Sequence, residues 1–193
     1  MSVSPARTRM IAAAHELFYQ HGVRATGVDR IIAEAGVTKV TFYRHFPTKD
    51  DLVLAYLAAR HEHWMRWFTD ALARYRAEQT LSGRQHQPFA PLLRALEDWF
   101  WNPEFRGCAF INAAAELGAT LPGALELTAA HKREMVAEIA TLLPEAQRGK
   151  IAMAAGLAVD GAIIRAQTGA DEAAQALEAL RTALAALAKT FQG

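Results

Sequence analysis

The chain has 193 residues, 21 basic and 20 acidic side chains, a net charge of +1 and 52% apolar residues. That length accommodates a small head with a larger body, or one continuous assembly, and near-neutral charge alone does not point to nucleic acid. A single cysteine, Cys108, excludes an intramolecular disulfide. No long apolar leader opens the chain, and no uncharged apolar span of about 18 residues occurs, so a soluble protein of the reducing cytoplasm is expected. Abundant Ala and Leu with only 7 Pro favour an all-α fold.

In chain order, the pattern predicts about nine helices. The first, 5–21, buries Ile11, Ala14, Leu17 and Phe18 and stops at Gly22. Thr26 and Asp29 have the spacing of a helix cap and its reciprocal partner. Val28, Ile31, Ile32 and Ala35 then form one buried face of a second helix, and Gly36 marks a tight turn. Thr38 can cap a third helix that Phe42 and Phe46 anchor inward. Lys39, Val40, Thr41, Tyr43, Arg44 and His45 fall largely on its other side. Two short helices joined this way form a unit that can present one helical face to the DNA major groove.

Thr48 and Asp51 cap a long fourth helix, expected to end near Arg76, with Leu57, Trp64, Phe68, Ala71 and Tyr75 along one stripe. The polar segment 79–87 reads as a loop, followed by a fifth helix over 88–101. CAFINAAAELG makes a sixth. Pro122 opens a seventh, reaching Leu143, and Pro144 and Gly149 mark the next boundary. The eighth carries IAMAAGLAVDGAIIRAQ, and the ninth runs from Asp171 to Phe191. Charge is uneven along the chain: residues 1–50 hold an excess of three basic groups, a favourable polarity for phosphate.

The run GVTKVTFYRHFPTKDDL, with RMIAAAHELFYQHGVRATGV upstream, resembles the DNA-binding domain of the tetracycline-repressor (TetR) family of bacterial transcription regulators. The resemblance covers roughly the first 55 residues without a gap. One departure is Gly27, where family members often carry a hydroxyl residue. It implies a helix-turn-helix DNA-binding domain at 1–48 and an effector-binding and dimerisation domain at 49–193. Lys39, at the start of the recognition helix, is the candidate for reading a base edge, because such helices enter the groove N-terminus first. Thr41 can touch a base or a phosphate, and its methyl a thymine. Tyr43 resembles the family tyrosine that contacts the DNA backbone, and His45 and Lys49 occupy family positions that do the same. The residues themselves add Arg44, exposed beside the groove, and Thr26, within reach of a phosphate. Val40 and Phe42 are read as spacer and core.

One head reads too few bases for useful specificity, and pairing on a palindromic operator doubles the contacts. Ala154, Ala155, Gly156, Ala158, Gly161 and Ala162 allow close helix approach, and Leu177, Leu180, Leu184, Leu187 and Phe191 line the ninth helix. In the resembling family the last two helices form a four-helix bundle with a partner, so a homodimer is expected. Aromatic density in the body favours a pocket for a small, mostly apolar effector, with Trp64, Phe68, Trp99, Phe110, Asn112, Glu116 and His131 as candidate contacts. The FRGCAFINAAAEL stretch also resembles a segment beside the effector pocket in one group of these regulators. The fourth helix would be the mechanical link: about 20 residues span about 30 Å, so a small tilt misaligns two half-sites. No cofactor is implied. The chain lacks a Gly-rich phosphate loop, an HExxH, paired cysteines and a Ser-His-Asp set, so an enzyme is not expected; His131 with Glu134 is too little for a metal site. The alternatives are a regulator acting through Cys108 oxidation, and an activator without an effector. The expected function is a repressor released by a small ligand.

Overall fold

The computed structural model describes residues 4–81 and 87–190, with the backbone alone for Gln147. Among these, nine α-helices and one short 3-10 turn occur and no strand does. They are α1 (Pro5–His21), α2 (Val28–Ala35), α3 (Lys39–His45), α4 (Lys49–Leu81) and α5 (Ala90–Phe100). Then come α6 (Ala109–Leu117), α7 (Pro122–Ala140), the 3-10 turn (Glu145–Gln147), α8 (Arg148–Ala166) and α9 (Ala170–Lys189). The chain forms two compact units. One holds everything up to His63 together with Ala109–His131; the other holds Trp64–Cys108 and the chain from Lys132 onward.

In the first unit, α1 turns Met10, Ala13, Ala14, Leu17 and Phe18 inward. These positions are spaced i, i+3, i+4, i+7, i+8, one helical face. Ile11, expected in that core, instead lies half-exposed beside His15, Ala59 and Arg60 in a groove. Ile31 and Ala35 bury α2, while Val28 and Ile32 sit at its edge. Gly36 adopts φ 59 and ψ 44, and its N–H closes the helix on the carbonyls of Ala33 and Ile32. Gly22 ends α1 with φ 85 and ψ 158, a conformation open in practice to glycine alone.

His15 on α1 and Arg60 on α4 meet at 2.8 Å, the guanidinium donating to Nε2. Burial, then the positive charges of Arg60 and His63, push the His15 pKa down to about 4. Arg60 also lies over the Tyr19 ring, 4.5 Å from its centroid. Deeper in the unit, Phe110 of α6 stacks on His131 of α7 with ring centroids 3.8 Å apart. The Thr128 hydroxyl donates to the Phe110 carbonyl at 3.2 Å, joining the same two helices.

In the second unit Trp64, Phe68, Leu92, Leu96, Trp99 and Phe100 are buried. α8 packs along α9. Gly156 permits a close approach of α7: a β-carbon there would stand 2.6 Å from the Val136 γ-methyl. Lys132 and Asp160 tie α7 to α8 at 2.6 Å.

Three expectations change. α4 continues to Leu81, past the expected end at Arg76, so Gln79, Thr80 and Leu81 are helical. Residues 82–86 of the expected loop lie outside the described residues. α8 starts at Arg148, placing Gly149 inside its first turn, because the 3-10 turn after Pro144 already makes the boundary. Leu177, Leu180 and Leu184 are buried within the subunit, so the face of α9 assigned to a partner is occupied by its own chain. Phe191 lies outside the described residues.

Two predictions follow from the head. Gly22→Ala should cost about 1–3 kcal/mol, and Gly36→Ala about 1–2 kcal/mol, because αL is less costly than the region Gly22 occupies. A β-carbon at Gly22 would also sit 3.0 Å from Glu116 Oε1. Thermal melts should therefore rank Gly22→Ala below Gly36→Ala, and the reverse order would refute this account. His15 stays neutral in the fold but takes a proton near pH 6.5 once unfolded. Stability is then lost as pH falls from 6.5 towards 4 and levels off below it, by about 1–2 kcal/mol after allowance for its partial exposure. Urea melts of His15→Gln should lack that portion of the pH slope.

Candidate nucleic-acid interface

The third helix is seven residues long and depends on its ends. Thr38 occupies the N-cap in extended geometry (φ −83, ψ 157), and its Oγ1 accepts the Thr41 N–H at 3.1 Å. Phe42 is fully buried, and Phe46, just past the helix, is 2% exposed. With that side fixed inward, Lys39, Val40, Tyr43 and Arg44 share the outward face, at i, i+1, i+4 and i+5. Val40 is 78% exposed and Tyr43 43%. The Tyr43 ring rests edge-on against Phe42, centroids 5.2 Å apart, which steers its phenol away from the core. Lys39 pairs with Asp29 at 3.5 Å, both exposed, a contact worth little and easily exchanged for another anion.

The other expected DNA contacts sit closer to the body of the head. Thr41 and His45 are half-buried. The Thr41 hydroxyl lies 3.0 Å from that of Thr38, and His45 Nε2 lies 3.4 Å from Ser4 Oγ. Thr26 is a correction. It is fully buried, and its hydroxyl donates to the Gly22 carbonyl at 2.8 Å, so it neither caps α2 nor reaches a phosphate. Gly27 takes the cap position with no side-chain hydrogen bond. The physical reason is that α1 leaves carbonyls unpaired at its C-terminus, and Thr26 is one residue too early for α2. Lys49 opens α4, but its ammonium turns inward to the Val23 carbonyl at 2.6 Å and lies 5.9 Å from the centre of the Phe18 ring. Burial lowers its pKa, against the opposing pull of Asp50 and Glu116. Val40, read as a spacer on the outward side, is exposed there, and Phe42, read as core, is fully buried.

The seven expected effector contacts fall into three groups. Trp64 stacks on Phe68 at 4.6 Å and meets Trp99 edge-on at 5.5 Å; Trp67 joins them. Phe110 and His131 form the stacked pair already described, and His61 Nδ1 lies 3.2 Å from His131 Nδ1. Asn112 and Glu116 line a cavity of about 90 Å³ with Phe18, Gly22 and Tyr56. Glu116 Oε2 accepts the Arg24 N–H at 2.9 Å, so this carboxylate serves the turn between α1 and α2. His61, which no local sequence signal marks, is brought to the Phe110–His131 pair by α4.

Residues 10–56 match the model of the tetR family of bacterial regulatory proteins. Over 51 residues the chain is 43% identical to the HTH-type transcriptional activator FasR of Mycolicibacterium smegmatis, covering 26% of this chain and 23% of that protein. Over 56 residues it is 43% identical to the HTH-type transcriptional regulator TtgR of Pseudomonas putida, covering 29% and 27%. The match thus spans about a quarter of the length of these relatives. A TetR-family transcriptional regulator from Streptomyces coelicolor superposes with a TM-score of 0.78 at 27% identity, over 96% of this chain and 91% of that one. Regulatory protein TetR from Rhodobacter sphaeroides does so with a TM-score of 0.75 at 26% identity, over 94% and 98%. These relatives are transcription regulators rather than enzymes.

The cap generates one prediction. Thr38→Ala should cost about 1 kcal/mol of stability and speed amide exchange across 39–42, with the rest of the head unchanged. Unaltered exchange in α3 would show that Phe42 alone holds the helix.

Proposed function

We propose that this chain is a DNA-binding transcriptional regulator of the TetR family that reads a palindromic operator as a homodimer. Residues 1–48 form the DNA-binding domain, joined in its contacts by Lys49 at the boundary, and 49–193 carry dimerisation and effector binding. The observation that carries this reading is the outward face of α3. A short helix is fixed by Phe42 and Phe46 and offers a cation, an apolar branch, a phenol and a guanidinium to one side. Lys39 reads a base edge, and Tyr43 and Arg44 hold phosphates. Thr41, His45 and Lys49 complete the backbone contacts from the half-buried rim, Lys49 by exchanging the Val23 carbonyl for a phosphate oxygen.

Pairing is supported by α8. Met153, Leu157 and Ile164 are 51%, 67% and 47% exposed, and together with Gly161 they are spaced along one face. Nothing lies within 4 Å of a β-carbon built on Gly161, leaving room for a partner helix. An exposed apolar stripe of this kind is the usual mark of an interface.

The regulator is a repressor released by a small, mostly apolar ligand. The ring clusters around Trp64, Phe68 and Trp99 and around Phe110 and His131 support that choice of chemistry. They are closed on themselves, so the ligand enters by parting rings. Cys108 is only 4% exposed, which disfavours the alternative of a thiol sensor.

Selection of bound duplexes from a random DNA pool at physiological salt tests this reading. An inverted repeat is expected, bound at least tenfold more weakly by Tyr43→Ala and by Arg44→Ala. Leu157→Glu should sediment as a monomer and lose most operator affinity. Recovery of no common sequence, with binding that depends only on salt, would end the regulator proposal.

A further inference from the structure

Val40 buries almost nothing and has no structural employment in the fold. Its side chain is 78% exposed on a head whose other large apolar residues are mostly inside. A β-branched residue is also a weaker helix former than alanine, by about half a kcal/mol. Its place is informative: it is the second residue of α3, in the first turn, on the face shared with Lys39, Tyr43 and Arg44. In recognition helices the first turn lies nearest the base edges. Among those edges, the major groove offers one apolar group, the C5 methyl of thymine.

The competing candidate for that methyl is Thr41, and its geometry is against it. Thr41 is half-buried, its N–H is bound by Thr38, and the two hydroxyls lie 3.0 Å apart. Phe42 is fully buried. Lys39 and Arg44 are cations that pair with acceptors, and Tyr43 presents a phenol. Val40 is therefore the exposed side chain of α3 whose only favourable partner in a groove is a methyl group.

We infer that Val40 is a specificity-determining residue, selecting a thymine in each half-site by packing its isopropyl group on the C5 methyl. The inference rests on the DNA-binding reading above and deepens it by naming a base. One buried methyl corresponds to about fourfold in affinity, and about fifteenfold when both half-sites of a dimer are altered.

The test uses the full-length protein and the duplex recovered by selection. Each thymine is replaced in turn by deoxyuridine, which removes the methyl and leaves every hydrogen-bonding group. Wild-type protein should lose about fourfold at one thymine per half-site. Val40→Ala, which alters both half-sites of the dimer, should bind the unmodified duplex about fifteenfold more weakly, melt like wild type, and be indifferent to deoxyuridine at that position while keeping its response elsewhere. Thr41→Val should retain the wild-type uridine profile. If Val40→Ala keeps the same uridine sensitivity at every thymine, or if wild type has no methyl-sensitive thymine in a duplex it binds specifically, the Val40 inference is overturned while the regulator reading stands. Failure of wild type to prefer any sequence would remove both.

Discussion

A seven-residue helix has no stability of its own in water, since nucleating one turn fixes more backbone freedom than so few hydrogen bonds return. The recognition helix exists because Phe42 is driven into the core beneath it and Phe46 closes the chain behind it. Each such side chain, fully buried, contributes about 1.5–3 kcal/mol. That single anchoring also decides direction. With Phe42 inside, Lys39, Val40, Tyr43 and Arg44 face outward, and the candidate DNA-reading surface is the complement of the core. Polar and apolar residues on that surface are therefore positioned by packing they do not take part in.

A second dependence runs through Glu116. Its carboxylate is contributed by α6, far along the chain, yet it accepts the backbone N–H of Arg24 at the turn where α1 gives way to α2. Gly22 stands beside it, where a β-carbon would lie 3.0 Å from Glu116 Oε1. Lys49 and Thr26 reinforce the same place, one holding the Val23 carbonyl and the other that of Gly22. Three polar side chains thus hold one backbone group each on three consecutive residues, Gly22, Val23 and Arg24.

Much of this was legible in the sequence because local signals agreed with one another. Gly36 in αL, the Thr38 cap, the Thr48–Asp51 pair at the start of α4, and the inward Phe42 and Phe46 are all short-range features. Local physics determines them. What escaped reading depends on partners remote in sequence. Nothing near Thr26 says that it will turn back to the end of α1, nothing near Glu116 says that it serves residue 24, and Lys49 looks like a free cation until Val23 is placed beside it. Periodicity also misassigned a side chain at the margin of a face: Ile11 was expected inside but lies half-exposed, one position from the buried Met10. The leucines of α9 illustrate another limit. An apolar stripe announces burial, but only the fold tells whether the chain itself or a second molecule covers it.

The first compact unit is assembled from two separate stretches of chain, the N-terminal 63 residues and Ala109–His131. Its DNA-facing part is therefore not a cassette. A fragment cut after residue 48 would keep the recognition helix and its aromatic anchor but leave the Arg24 N–H without the carboxylate that receives it. Chimeras that graft this head onto another body would need to carry α6 with it, or supply an equivalent acceptor. The same constraint bears on biosynthesis: as the chain emerges, its head can form helices early, but the turn between α1 and α2 acquires its final hydrogen-bond partner only after α6 has been made.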